Sequence, residues 1–255
     1  MPALSSSSLE LGAAVEAGAR LGVEMQQSAK RMIKPDNSWV TEADREVERL
    51  LQHQLSTVFP GSAFWGEESG HAADAGNGLW VVDPIDGTSN FVHGLPLWAV
   101  TAGWFRGGEA QVAAAHIPAL GETYIAERGL GVFLNGEPLP PLAGRPLDKT
   151  DVTAVDVDYV FDFPLSGVPG RKRKHGAFVI EACFMASGRL RAVVSAGERL
   201  YDIVFGVLMT EMLGGRVCYL DGSALDWDSL FAGEAIDRPW ALWPPGVELP
   251  DFDRL

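Results

Sequence analysis

Between Leu79 and Phe91 an apolar run meets two acids across a proline, and this stretch constrains the chain more than any other. Leu79-Trp80-Val81-Val82 is continuously apolar, the pattern of a short buried strand. Proline cannot donate to a ladder, so the strand is expected to stop at Asp83-Pro84. Asp83 and Asp86 then flank an Asp-Gly turn that also carries Thr88. Two carboxylates, a glycine and a hydroxyl at a strand end suit a hard cation, which takes carboxylate, carbonyl and water oxygens. The plainer reading of an isolated Asp-Gly is a hairpin turn.

The 255 residues permit one large domain or two lobes and bury a core comfortably. A formal net charge of −14 argues against nucleic-acid or acidic-membrane binding, which needs a basic footprint. It leaves an anionic substrate open, because bound cations invert the local field. The two cysteines, Cys183 and Cys218, lack metal-type spacing and read as free thiols in a reducing compartment. No signal peptide and no membrane span is evident, so a cytoplasmic location is expected.

In chain order, Ser7-x-x-Glu10 predicts a capping box opening a helix through Met25. Lys34 to Ser38 reads as a loop. Thr41-x-x-Asp44 opens a second helix, which Pro60-Gly61 stops. Ala63–Trp65 is a short strand before Gly66-Glu67-Glu68-Ser69. Strands follow at Ala99–Arg106, Ala110–Ile117, Thr123–Ala126 and Gly131–Leu134, with Asn135-Gly136 as a hairpin signal. Pro138 to Pro146 marks a lobe boundary, giving lobes 1–146 and 147–255. Beyond it a strand is expected at Val152–Val157, a loop at Phe161–Gly170 and a basic run at Arg171–His175. A helix at Ala177–Met185, a strand at Leu190–Ser195, a helix at Asp202–Leu213 and a final strand at Arg216–Tyr219 complete the reading. Without strict βα alternation the fold class is α+β rather than a doubly wound sheet.

Three motifs stand in order: Gly66-Glu67-Glu68-Ser69, Asp83-Pro84-Ile85-Asp86-Gly87-Thr88-Ser89-Asn90-Phe91, and Tyr201-Asp202 followed by Glu211-Met212-Leu213-Gly214-Gly215. Together they resemble the signatures of the inositol monophosphatase family, magnesium-dependent, lithium-sensitive phosphomonoesterases. Val40-Thr41-Glu42-Ala43-Asp44 is similar to a further element of that family. The resemblance implies a layered α-β-α-β-α sandwich, the type shared with fructose-1,6-bisphosphatase. It also implies two or three Mg2+ ions per site, a small phosphorylated metabolite as substrate and, commonly, a homodimer.

Residue roles follow from the same resemblance. Glu67, Asp83 and the carbonyl of Ile85 would hold one metal. Asp83, Asp86 and Asp202 would hold a second. Thr88 with Glu67 would orient and deprotonate the attacking water, with Asp44 and Thr41 behind them. The amides of Gly87 and Thr88 would cradle phosphate. Such paired-metal sites activate a nucleophile and clamp the leaving oxygen. Thr41 and Asp44 also have a plain structural role as cap and first-turn acid. Lys34 reads as solvated, although its family equivalent lies near the metals. The histidines show no ligand spacing, and Glu211 reads as structural.

The chain departs from the family pattern in places. Tyr201 replaces a tryptophan, Ser195 stands where a sugar-reading glutamate is common, and Ala177 replaces a serine or threonine of the substrate pocket. A helix usual before Arg171 is missing. These departures put inositol phosphate itself in doubt. Fructose bisphosphate, 3′-phosphoadenosine nucleotides, NADP and histidinol phosphate are the alternatives within the family. A metal-binding relative without turnover is the alternative outside catalysis. The basic run reads either as a solvated loop or as a pocket rim whose Arg171 and Arg173 favour a second phosphate.

Overall fold

In the computed structural model, which describes residues 3–34, 38–74, 76–155 and 168–249, two helices of different amphipathic strength cover one face of a large sheet. Helix α1 (Ser6–Met25) buries Leu11, Ala14, Val15 and Ala19. Its cap is Ser5, whose hydroxyl accepts the amide of Ser8, so the expected Ser7–Glu10 box is one half-turn too late. Ser8 instead donates its hydroxyl to Glu127, 2.6 Å away on a strand of the sheet. Strands β1 (Arg31–Ile33) and β2 (Trp39–Thr41) pair antiparallel on either side of the loop expected at Lys34 to Ser38; positions 35–37 lie outside the described residues. Helix α2 (Glu42–Val58) opens with the expected box: Asp44 accepts both the amide and the hydroxyl of Thr41.

The large sheet has the order β3-β4-β5-β6-β7-β8-β9. Its strands are β3 (Ala63–Gly66), β4 (Leu79–Asp86), β5 (Ala99–Arg106), β6 (Glu109–Ile117), β7 (Glu122–Glu127), β8 (Gly131–Leu134) and β9 (Glu137–Pro138). Only the β3–β4 pair is parallel. The β8–β9 turn is the expected one, with Asn135 and Gly136 both at positive φ. Strand β4 runs past the expected stop at Pro84. Its pairing with β5 skips from Asp83↔Thr101 to Asp86↔Ala99, so Pro84 falls in an irregularity where no ladder donor is required. Gly87 then adopts φ +84 as the cap of the short helix α3 (Thr88–Val92), not as a hairpin turn.

The other face of this sheet packs on α4 (Phe178–Ala186) and α5 (Leu200–Met212). Both helices are apolar nearly all round, as helices between two sheets must be. The second sheet lies beyond them in the order β11-β10-β12-β14-β13. Its strands are β10 (Val152–Val155), β11 (Arg171–Arg173), β12 (Ala192–Ser195), β13 (Arg216–Tyr219) and β14 (Trp240–Trp243). The fold is α+β, with layers α-β-α-β among the described residues. Val194, Ala241 and Trp243 form an apolar cluster with Leu220, Val247 and Leu249. The expected helix deficit and part of the expected loop fall on 156–167, outside the described residues.

Two expectations are corrected here. Arg171–Arg173 is an edge strand parallel to β10, where charged side chains protect an open edge. Arg216–Tyr219 is not the final strand. The tail holds helix α6 (Trp227–Phe231) and strand β14, which sits between β12 and β13 with Trp240 and Trp243 fully buried. Its four residues are apolar throughout because both faces are covered. Cys183 and Cys218 are buried free thiols. No helix of the described residues is long and apolar enough to cross a membrane.

Candidate active site

Four buried or half-buried acids reach one region from three segments. Glu67 follows β3, Asp83 and Asp86 lie on β4, and Asp202 lies in the first turn of α5. Asp83 and Asp86 are 2% and 7% exposed, which leaves their charges almost without water. Each is fixed by the backbone: Asp83 accepts the amide of Ile85 at 2.9 Å, Asp86 that of Val179 at 2.9 Å, and Asp202 that of Arg199 at 2.6 Å. The Asp86 bond ties β4 to the start of α4, and so joins the two halves of the chain at the site.

Their electrostatics are those of an anionic cluster with one compensating ammonium, that of Lys34 beside Glu67. Burial pushes the Asp83 carboxyl well above its usual range, and the charges of Glu67, Asp86 and Asp202 add to it. Asp202 is raised in the same way by burial, then by Glu67. Burial pushes Asp86 up to about 7, against the opposing pull of the Val179 amide. Glu67 is raised by burial although Lys34 holds it down. Lys34 Nζ stands 2.7 Å from Glu67 and 2.5 Å from Glu68. Burial alone would lower the Lys34 pKa, and the two glutamates override it, so it is raised. Lys34 is therefore not the solvated loop lysine of the plain reading.

Whether a divalent metal fits is decided by this donor set. Apart from Lys34 the polar groups of the region are oxygens, those of carboxylates, carbonyls and the Thr88 hydroxyl, the kind of donor that Mg2+ selects. Among the described residues no three acids stand together as a finished coordination shell. An ammonium occupies the Glu67 side instead, and a hard cation there would relieve the same repulsion. The donor set fits.

Thr88 Oγ1 lies 3.0 Å from the carbonyl of Ile85 and 3.3 Å from Asp44. Asp44 is fully buried, and burial raises its pKa against the bonds from Thr41. The structure thus brings Thr41, Asp44, Ile85 and Thr88 into one chain of contacts. Gly87 is required twice over. Its φ is positive, and a β-carbon would come within 2.8 Å of Ala177 Cβ and 3.2 Å of the Leu97 carbonyl. Asn90 donates to the carbonyls of Leu97 and His175 at 2.6 and 2.8 Å, locking this turn onto the loop before α4.

A cavity of about 250 Å³ opens on the Asp86 and Asp202 side, lined also by Ala177, Ser195, Lys174 and Glu198. Of the basic run, Lys174 alone lines it. Arg171 and Arg173 are exposed on the edge strand, so the expected arginine rim is not formed. Lys172 turns back onto the carbonyls of Val168, Pro169 and Gly170. Sequence reasoning missed Glu198. Ser195 donates its hydroxyl to that carboxylate, and the indole N–H of Trp240 donates to it at 2.8 Å. A carboxylate thus reaches the cavity although position 195 is serine. The sequence carries no local signal for it, because the anchoring tryptophan is 42 residues away along the chain.

Buried acids around a cavity, in α+β layers joined by two central helices, define a class of metal-assisted hydrolytic sites. A family model described as the inositol monophosphatase family matches residues 6–241. The fructose-1,6-bisphosphatase/inositol-1-monophosphatase of Thermotoga maritima is 33% identical over 187 residues, covering 72% of each chain. The histidinol-phosphatase of Chlorobaculum parvum is 32% identical over 214 residues, covering 78% of this chain and 82% of the relative. Among solved structures, the extragenic suppressor protein SuhB of Bartonella henselae superposes with a TM-score of 0.81 at 24% identity, covering 95% of both chains. The chain belongs to the inositol monophosphatase family.

Proposed function

We propose that the chain is a magnesium-dependent phosphatase acting on a small phosphate monoester. The observation that carries this reading is the crowding of Glu67, Asp83, Asp86 and Asp202, where burial and mutual charge raise every carboxyl. Such an arrangement is costly unless cations complete it. Glu67, Asp83 and the Ile85 carbonyl would hold one Mg2+, and Asp83, Asp86 and Asp202 would hold a second. Bound there, Mg2+ activates water and neutralises the charge that builds on the ester oxygens.

The residues supply the rest. Glu67 and Thr88 would orient the attacking water, and the Glu67 carboxylate would take its proton. Asp44 accepts from the Thr88 hydroxyl and so fixes the direction of its lone pairs, while Thr41 holds Asp44. The amides of Gly87 and Thr88 bind phosphate oxygens. Ser195 and Ala177 line the wall that faces the rest of the ester, with Glu198 as its acceptor. The substrate-reading shell differs from the polyol pattern at 195 and 177, yet the cavity is small and offers one lysine. That favours a single-phosphate ester over a bisphosphate or nucleotide. We place the boundary between the two lobes at residue 146 and the protein in the cytoplasm.

A phosphate-release assay over a panel of small esters tests the reading. Turnover should vanish with chelator, return with Mg2+, and fall with Ca2+, whose looser coordination aligns water poorly. Lithium should inhibit. Full turnover in excess chelator would end the proposal.

A further inference from the structure

We infer that Glu48 is a positioning residue that aims Glu67 at the metal site. Glu48 lies on α2, one helical turn after Asp44 and so on the same face. It is 5% exposed, and nothing in the catalytic assignment uses it. Its two carboxylate oxygens accept the backbone amides of Glu68 and Ser69, both at 2.8 Å. Bonds from neutral amides to an ionised acceptor are among the stronger ones.

The turn they hold is the one that carries Glu67. The Glu67 amide donates to the Val82 carbonyl on β4 at 3.1 Å, and Gly70 donates back to Gly66 at 3.0 Å. Three successive amides, those of Glu67, Glu68 and Ser69, are thereby fixed, the first on the strand of Asp83 and the next two on Glu48. With the backbone pinned on both sides, the Glu67 side chain leaves toward Lys34. Gly66 completes the fit. A β-carbon there would overlap the Glu48 carboxylate, so glycine leaves the space that the clamp occupies.

A further acid so near Glu67, Glu68 and Asp44 adds repulsion to a region already crowded with it. Two amide bonds at one side chain offset that cost, and a neutral side chain would hold the turn with less. Helix α2 therefore serves the site through two carboxylates a turn apart. Asp44 directs Thr88, and Glu48 directs the turn of Glu67. This rests on the reading of Glu67 as a metal ligand.

The test is calorimetric titration of the full chain with Mg2+ alone, for wild type, Glu48→Gln, Gly66→Ala and Glu67→Gln, with melting curves in chelator. Outer groups that orient metal ligands typically change affinity about 10- to 100-fold. Glu48→Gln should weaken Mg2+ binding by at least ~10-fold within that range, with the chelated protein still folded. Gly66→Ala, which displaces the clamp from the loop side, should reproduce the loss. A folded Glu48→Gln protein that binds Mg2+ like wild type, while Glu67→Gln binds weakly, would overturn the inference. So would a Glu48→Gln protein that is unfolded with or without Mg2+, because the residue would then hold the fold rather than the turn. If Glu67→Gln itself leaves binding unchanged, the ligand reading fails separately.

Discussion

The ammonium of Lys34 stands 2.7 Å from the carboxylate of Glu67, inside the group of acids that the proposed function fills with metal. A protein cation and a metal cation therefore compete for one partner. Lys34→Met should tighten Mg2+ binding several-fold, since opposite charges in a partly buried site interact by a few kcal/mol at most. It should also lower the melting temperature in chelator, where nothing replaces the ammonium. Weaker Mg2+ binding in the variant would show that Lys34 supports the metal site rather than competing for it.

Acidity should stabilise the metal-free protein. Asp83, Asp86 and Asp202 have folded pKa values above their unfolded range of about 4. For an acid raised on folding, the stability is fully present below the unfolded pKa and is lost as pH rises through the folded one. With Asp86 at about 7, the melting temperature in chelator should fall as pH rises from about 4 to about 7 and level off above it. Saturating Mg2+ should flatten that slope, because the cation stabilises the ionised form. A melting temperature that rises with pH in chelator would contradict the anionic-cluster account.

Asp86→Asn separates stability from turnover. The amide oxygen still accepts from Val179, and one buried charge disappears. Melting in chelator should rise, while kcat in Mg2+ should drop by at least about 100-fold, the scale of losing one preorganised electrostatic group. An unchanged rate would place the chemistry elsewhere.

Glu198→Gln should act on recognition. It should raise KM for esters that offer hydroxyl donors and leave 4-nitrophenyl phosphate nearly unaffected, because only the former lose an acceptor. Arg171→Ala with Arg173→Ala should be silent on every ester, both side chains being exposed on the edge strand. Steady-state kinetics on inositol 1-phosphate and 4-nitrophenyl phosphate decide it, and a KM effect of the arginine pair alone would reverse the assignment.

The acids could be found in the sequence because they lie beside short local signals: an apolar run before Asp83, a glycine after Asp86, an aromatic before Asp202. The α2 cap was readable for the same reason, as its partners Thr41 and Asp44 are three residues apart. What escaped depends on distant pairing. Pro84 looked like a strand stop because the irregularity that accommodates it is defined by β5. Glu198 and Glu48 look like surface acids until Trp240 and the turn at Glu68 are brought against them. β14 was hidden because Trp-Ala-Leu-Trp, four residues between prolines, carries no periodicity to read.

The place of β14 has a consequence for synthesis on the ribosome. Strands β12 and β13 are made before it, yet they do not pair with each other; β14 fills the gap between them. The second sheet is therefore split into two unjoined parts until residue 243 has emerged, while every strand of the first sheet precedes residue 139. Since chains fold from the N-terminal side as they grow, the first half can settle early and the Glu198 anchor comes last. A nascent chain halted before Trp240 carries all four acids and the wall residues Ala177, Ser195 and Glu198, but not the indole that fixes the Glu198 carboxylate.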